Sequence, residues 1–295
     1  MSVSLVAVTL IKDEADIILA SLKNLYGLGI RMFAVMDNDS SDETLQHVHQ
    51  FRSLHADASV LIVHDYDRNH FQSKKVTAMS RMAIDYFSAT HVYPFDADEF
   101  LRPIGTPSIS SDSLLAKIAG TDLKANCAIS IPWRTCIPAD GGHFHKCTAY
   151  STLNKVLVRM TSAIRIAEGN HGALTACTNW RGRSKCRKCP NVALNGYEVL
   201  HVPVRSAEQL RSKILNGAAA NQINQGTGYS AHWMALHKAY VKDGDAVFDR
   251  VFEMLQRGIE SELEEFCRTQ RIDRQHLCYF NDYFLPRTSD SLDLS

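Results

Sequence analysis

Residues 5–18 read Leu-Val-Ala-Val-Thr-Leu-Ile-Lys-Asp-Glu-Ala-Asp-Ile-Ile, an apolar, β-branched run that stops abruptly at three charged residues. A run this short, ended by charge, is the pattern of a strand buried in a sheet. No basic stretch precedes it and charges follow at once, so the pattern argues for a strand over a secretory signal.

Working outward, similar runs recur at residues 32–36, 60–63 and 91–95. Segments with helical periodicity lie between them, at residues 13–28, 41–54 and 74–87. The order β-α-β-α-β-α-β predicts an α/β fold, a Rossmann-like and mostly parallel sheet with helices on both faces. Gly27 and Gly29 close the first helix, and Asp39-Ser40-Ser41-Asp42 supplies capping oxygens before the second. Ligands of such sheets bind at the carboxyl ends of the strands. The residues to inspect are therefore Thr9 to Glu14, Asp37 to Asp39, His64 to Arg68 and Asp96 to Glu99.

Farther along, a short helix is expected at residues 113–119, strands at 127–133 and 154–159, and a turn at Asp140-Gly141-Gly142-His143. Beyond residue 206 the pattern changes to long helical stretches, 207–221 and 245–270. The expected division is a catalytic domain over 1–205 and a helical extension over 206–295. The amphipathic stretch 247–266 is expected to pack on the protein's own domain.

The chain has 295 residues with 32 Lys plus Arg against 32 Asp plus Glu, so no basic field favours nucleic acid. No stretch reaches the roughly 18 apolar residues of a spanning helix. A cytoplasmic protein is expected, without a transmembrane segment but with room for peripheral membrane association. The eight cysteines read as reduced thiols. Cys186 and Cys189, with Cys177 and His171 upstream, fall short of the two ligand pairs usual for structural zinc, and read first as thiols in a basic loop.

The sharpest local signal is Tyr93-Pro94-Phe95-Asp96-Ala97-Asp98-Glu99-Phe100-Leu101, where an apolar strand runs into three carboxylates. On an extended backbone Asp96 and Asp98 point the same way and can face one cation. Carboxylate oxygens suit Mg2+ or Mn2+, which keep positions open for substrate phosphates.

Taken together, VAVTLIKDEADII, FAVMDNDSSDET, the Lys74-Lys75 helix start and YPFDADEFL resemble the family 2-like glycosyltransferases of the GT-A fold, in order and spacing over residues 3–101. The resemblance implies a metal-dependent and inverting transfer of sugar from a nucleotide-diphosphate donor to a carbohydrate or other hydroxyl acceptor, with polysaccharide biosynthesis as the usual setting. It places Thr9 and Glu14 around the base, Asp37 on base or ribose, and Lys74 or Lys75 near the phosphates. Asp96 and Asp98 match the Asp-x-Asp metal motif, with Mn2+ or Mg2+ as cofactor. In the second half, WRTCIPADGGH, KVLVRMTSAIRIAEGNHG and LHVPVRSAEQLRSKI are similar to the family's acceptor loop, Lys-and-His segment and His-x-Pro-x-Arg-Ser segment. His171 and His201 thereby become candidates for the metal or diphosphate site. Asp140 and Glu168 are the candidate catalytic bases, although the acidic pair usual at that position is missing. Trp133 can stack on a sugar or pack in the core, and Arg205 can pair with phosphate or a carboxylate.

Two other readings stand beside this one. A metal-dependent nucleotidyl or phosphoryl transferase could use the same aspartates, but no glycine-rich phosphate loop follows the first strand. A non-catalytic sugar- or nucleic-acid-binding protein is the other, its basic segment 180–188 set against a neutral net charge.

Overall fold

The computed structural model describes residues 3–67, 71–105, 112–121, 128–139, 143–180, 183–223, 231–273 and 287–292. The chain divides into two compact units, Met1–Trp133 with Ser151–Leu200, and Arg134–Tyr150 with His201–Ser295. The protein is a mixed α/β molecule with a mostly parallel central sheet flanked by helices and a helical C-terminal region.

The first unit is built on β1 (Leu5–Ile11), β2 (Met32–Asp37), β3 (Ser59–His64) and β4 (His91–Pro94). These pair in parallel in the order β4-β1-β2-β3, and β8 (Asn154–Arg159) adds antiparallel beside β4. Side chains alternate across each strand, so the two faces have separate cores. Val6, Val8, Ala34 and Val92 pack with Val76, Met79 and Ala83 of α3 (Gln72–Phe87). On the opposite face Phe33 meets Phe51 of α2 (Thr44–Leu54), ring edge to ring face, with α1 (Ile18–Gly27) alongside.

α1 begins at Ile18, later than periodicity alone predicts. The reason is polar. Asp13 takes a left-handed backbone (φ 51°), its carboxylate accepts from the Ser41 amide at 2.7 Å, and the Glu14 amide donates to Thr44 Oγ1 at 2.8 Å. These bonds stitch the loop after β1 to the loop after β2 and hold residues 12–17 out of the helix.

The unit continues through β5 (Glu99–Pro103), α4 (Asp112–Gly120), the first part of β6 (Ala128–Pro138), β9 (Ile164–Ile166), a 3-10 turn at Glu168–Asn170, the β10 (Ala173–Trp180) and β11 (Arg183–Lys188) hairpin, and β12 (Asn191–Ala193), which pairs in parallel with β6. Cys186 on β11 is disulfide-bonded, which corrects the expectation of reduced thiols throughout and removes it as a zinc ligand. The side chain of Cys177 lies outside the described residues.

In the second unit, β7 (Phe144–Cys147) pairs antiparallel with the last residues of β6 and with β14 (Arg287–Leu292). Four helices follow the strand β13 (Tyr197–His201): α5 (Ala207–Ile223), α6 (Ala231–Asp243), α7 (Ala246–Arg257) and α8 (Glu260–Gln270). The single helix predicted over 245–270 is two helices. Gly258 adopts φ 65° and its amide returns to Met254 O, ending α7 in a left-handed cap. Val247, Phe248, Val251 and Leu255 of α7 bury against Leu210, Ile214, Leu236 and Phe266, all within this unit. No helix among the described residues is long and apolar enough to cross a membrane.

Candidate functional site

Asp96 leaves the end of β4 toward α3 and is held on three sides. Its Oδ1 accepts from Gln72 Nε2 at 3.1 Å and Asn170 Nδ2 at 3.0 Å, and its Oδ2 lies 3.0 Å from Lys155 Nζ. The Lys155 ammonium also contacts Glu99 Oε1 and donates to Gly169 O at 2.7 Å. Gln72 closes the ring by accepting from Gly169 N at 3.0 Å. β8 delivers Lys155 from among Val156, Leu157 and Val158, and its side chain is only 3% exposed. The glycine at 169 is required by its backbone, φ 65°, and by space, since a Cβ there would stand 2.5 Å from the His171 ring.

The electrostatics follow from burial and charge. Burial alone pulls Lys155 down, but the Asp96 and Glu99 carboxylates outweigh it and raise its pKa above the lysine range. For Asp96 burial pushes up and Lys155 pulls down, with the net below the usual carboxylate value. Burial pushes Glu99 well up, against the pull of Lys155.

This arrangement bears on the cation that the Asp-x-Asp spacing implies. A carboxylate has about four lone-pair positions, and here three on Asp96 are filled. A second cation near the ammonium meets repulsion of about 4 kcal/mol per unit charge at 4 Å and an effective dielectric of 20. Among the described residues no group of three or more His, Cys, Asp or Glu side chains is arranged to hold a metal ion. Asp96 therefore does not fit the part of a metal ligand. Asp98 is buried, at 4% exposure, in the turn between β4 and β5.

A second polar feature crosses the sheet itself. Ala7 pairs with Tyr93 and Thr9 with Val35, so alternation puts Tyr93, Thr9 and Asp37 on one face of three adjacent strands. All three are buried, and Thr9 Oγ1, Asp37 Oδ1 and the Tyr93 hydroxyl each lack a hydrogen-bond partner. The other Asp37 oxygen accepts from the Ser40 amide at 3.3 Å. Buried polar atoms are nearly always satisfied, so a row of three calls for a cause. Thr9 and Asp37 stand toward the carboxyl ends of their strands, where a ligand of such a sheet binds.

The remaining candidates are dispersed. Lys75 is committed to Asp65 at 2.7 Å, while Lys74 is exposed with its ammonium 4.4 Å from the Phe71 ring centroid. Glu14 sits in the stitched loop after β1, at the foot of α1. Glu168 is exposed, and its Oε2 accepts from the Ser73 amide at 3.2 Å, capping α3. His171 is half-buried, with Nδ1 3.2 Å from Asn154 O and its ring 5.5 Å from that of Trp133. Trp133 is 8% exposed and packs as a core residue, with Lys155 Nζ 5.3 Å from its ring. His201 is buried at the end of β13 and belongs to the second unit. Asp140 lies outside the described residues.

Sequence reasoning gives no role to Gln72 or Asn170, and it reaches Lys155 only as the opening residue of the stretch similar to the family's Lys-and-His segment. Lys155 also carries a physical signal, a lysine at the head of an apolar strand run, which needs a buried counter-charge to be stable there.

No family model and no curated protein matches the chain. Among solved structures, it is similar to the mannosyltransferase PcManGT from Pyrobaculum calidifontis in complex with GDP-Man and Mn2+, at 20% identity and a TM-score of 0.35, covering 43% of this chain and 35% of that one. It is similar to S. aureus TarS 1-349 in complex with UDP at 14% identity and a TM-score of 0.31, covering 47% of this chain and 37% of that one. For S. aureus TarS 1-349 alone the identity is 12% and the TM-score 0.38, with 87% and 92% covered. Likeness at this level does not speak to substrate or mechanism.

Proposed function

We propose that the protein is a glycosyltransferase that binds a nucleotide-diphosphate sugar across the carboxyl ends of β1, β2 and β4 and transfers the sugar to an acceptor hydroxyl. The observation that carries this reading is the pair of buried, unpartnered oxygens at Thr9 and Asp37. A nucleoside offers hydroxyl and N–H donors that would satisfy them, in the place where the sheet geometry puts a ligand. Asp37 accepts from the ribose or base, Thr9 lies beside it, and Glu14 borders the same end from the stitched loop.

Lys74, exposed in the first turn of α3, is proposed to meet the phosphates; Lys75 instead orders the segment after β3 through Asp65. The Lys155 cluster fixes the backbone at Asp96, Gly169 and Asn170, so the walls of the site are set before the donor arrives. Glu168 is the carboxylate proposed to take the acceptor proton, with one oxygen held by the α3 amide and the residue exposed to an incoming hydroxyl. Asp140 remains a proposed alternative base, and His171 remains a proposed contact of the donor. Because Asp96 does not fit as a metal ligand, no step is routed through a cation.

Calorimetric titration of the protein with uridine, guanosine and cytidine diphosphates, for wild type and Asp37→Ala, tests the reading. Binding of one nucleotide, lost in the variant, is the expected result. Absence of binding to all three, with and without Mn2+, would overturn it.

A further inference from the structure

We infer that Lys155 is the resident cation of the acidic cluster, occupying the place a divalent ion would take, so that this donor site operates without metal. Three oxygens converge on its ammonium: Asp96 Oδ2 at 3.0 Å, Glu99 Oε1, and the Gly169 carbonyl at 2.7 Å. Two carboxylates and a backbone carbonyl are the ligand set of a hard cation. The ammonium is compact, carries three donors for three acceptors, and is shielded from water, its side chain being 3% exposed. Around it Gln72 and Asn170 fill the outer oxygen of Asp96.

The Asp-x-Asp spacing is thus put to a different use. Asp96 positions the wall of the site through a covalently attached charge that chelators cannot strip, whereas a bound ion would make assembly depend on metal supply. Lys155 is a positioning residue here, since its ammonium is consumed by protein oxygens. The claim about the cluster stands on its own geometry; the claim about donor binding rests on the glycosyltransferase reading above.

Two measurements separate those claims. Mn2+ is titrated into the ligand-free protein and the free ion followed by electron paramagnetic resonance, for wild type, Asp96→Asn and Lys155→Ala. The expected result is equal uptake by wild type and Asp96→Asn, and a new Mn2+ site in Lys155→Ala, at least about tenfold tighter than any in wild type, with a Mn2+-dependent rise in melting temperature. Uptake by wild type that disappears in Asp96→Asn overturns the inference, as does a folded Lys155→Ala that gains no Mn2+ site. If Lys155→Ala does not fold, the comparison of wild type with Asp96→Asn decides alone.

Nucleoside diphosphate binding is then measured in wild type with Mn2+ and with a chelator. A change of less than about twofold is expected, against at least about tenfold for a diphosphate bridged by metal. Strong dependence on Mn2+ overturns the metal-free donor site. No nucleotide binding in either condition overturns the glycosyltransferase reading, while the Mn2+ titration still decides the role of Lys155.

Discussion

The two polar centres of the first unit are opposites. Around Lys155 the charge of Asp96 is answered from within the chain by an ammonium and two side-chain amides, that of Glu99 by the same ammonium, whose third donor goes to the Gly169 carbonyl. Across the sheet, Thr9, Asp37 and Tyr93 each keep a buried oxygen with no answer. The first centre is complete before any ligand arrives, so altering it should damage the fold. The second is incomplete, so altering it should spare the fold and, where a ligand completes it, damage binding.

The largest effect is expected at Lys155. Lys155→Met leaves Asp96 and Glu99 without their counter-charge, and breaking a buried pair from one side costs about 3–5 kcal/mol. Denaturant unfolding of the two proteins measures it. The same cluster has a signature at high pH. Lys155 has a folded pKa above its ordinary 10.5, so its contribution is fully present below 10.5 and is lost as pH rises through the folded value. That alkaline loss should be absent from the Met variant. A Lys155→Met protein as stable as wild type would dissolve the contrast between the centres.

Gly169→Ala should follow, at about 2 kcal/mol, from a left-handed residue that gains a Cβ and from the displaced His171 ring. Its structural reach sharpens the comparison. Gly169 joins Gln72 to Lys155 through its own amide and carbonyl, so the substitution loosens the closed centre without touching a charge.

Much of this architecture was legible in advance, for an identifiable reason. The alternation of short β-branched runs with 3.6-residue periodicity is a local property, so strands β1 to β4 and helices α1 to α3 could be read from residues 5–95. Thr9, Asp37 and Asp96 could be placed at strand ends on the same grounds. The closed centre was not legible, because it is assembled from Gln72, Asp96, Lys155 and Gly169, as much as 97 residues apart in sequence. Its partners meet only once β8 is paired antiparallel to β4. An Asp-x-Asp spacing shows two carboxylates side by side, but not the lysine that arrives from another strand to neutralise one of them. The break at Gly258 escaped for a different reason: both flanking segments are amphipathic, and periodicity carries across a glycine that the backbone uses to turn.

At Asp37 the expectation reverses. Asp37→Asn keeps an acceptor for the Ser40 amide at nearly the same volume, so stability should move by less than about 1 kcal/mol. Nucleoside diphosphate affinity should fall by about tenfold, since a neutral amide is the weaker acceptor for a ribose or base donor. Calorimetry beside thermal unfolding separates the two. A large loss of stability with unchanged affinity would move Asp37 into the closed class and leave Thr9 alone at the strand ends.

The smallest effect, and the one that tests what the open row is for, belongs to Tyr93. Its ring is fully buried and stacked on Phe95, and its hydroxyl has no hydrogen-bond partner. Burial, with the nearby Glu99 and Asp96 charges, pushes its pKa well above the tyrosine range, so the hydroxyl stays neutral. Tyr93→Phe removes an unsatisfied polar atom and keeps the ring, which by the usual cost of such an atom should leave stability unchanged or raise it by up to about 1 kcal/mol. Nucleotide affinity should not change, because Tyr93 lies deeper along the strands than Thr9 and Asp37, paired with Ala7 well before the carboxyl end of β1. A loss of more than about 1 kcal/mol would mean that the hydroxyl is satisfied in solution by a buried water. Lost affinity at unchanged stability would instead extend the ligand's footprint inward from Thr9 to Tyr93.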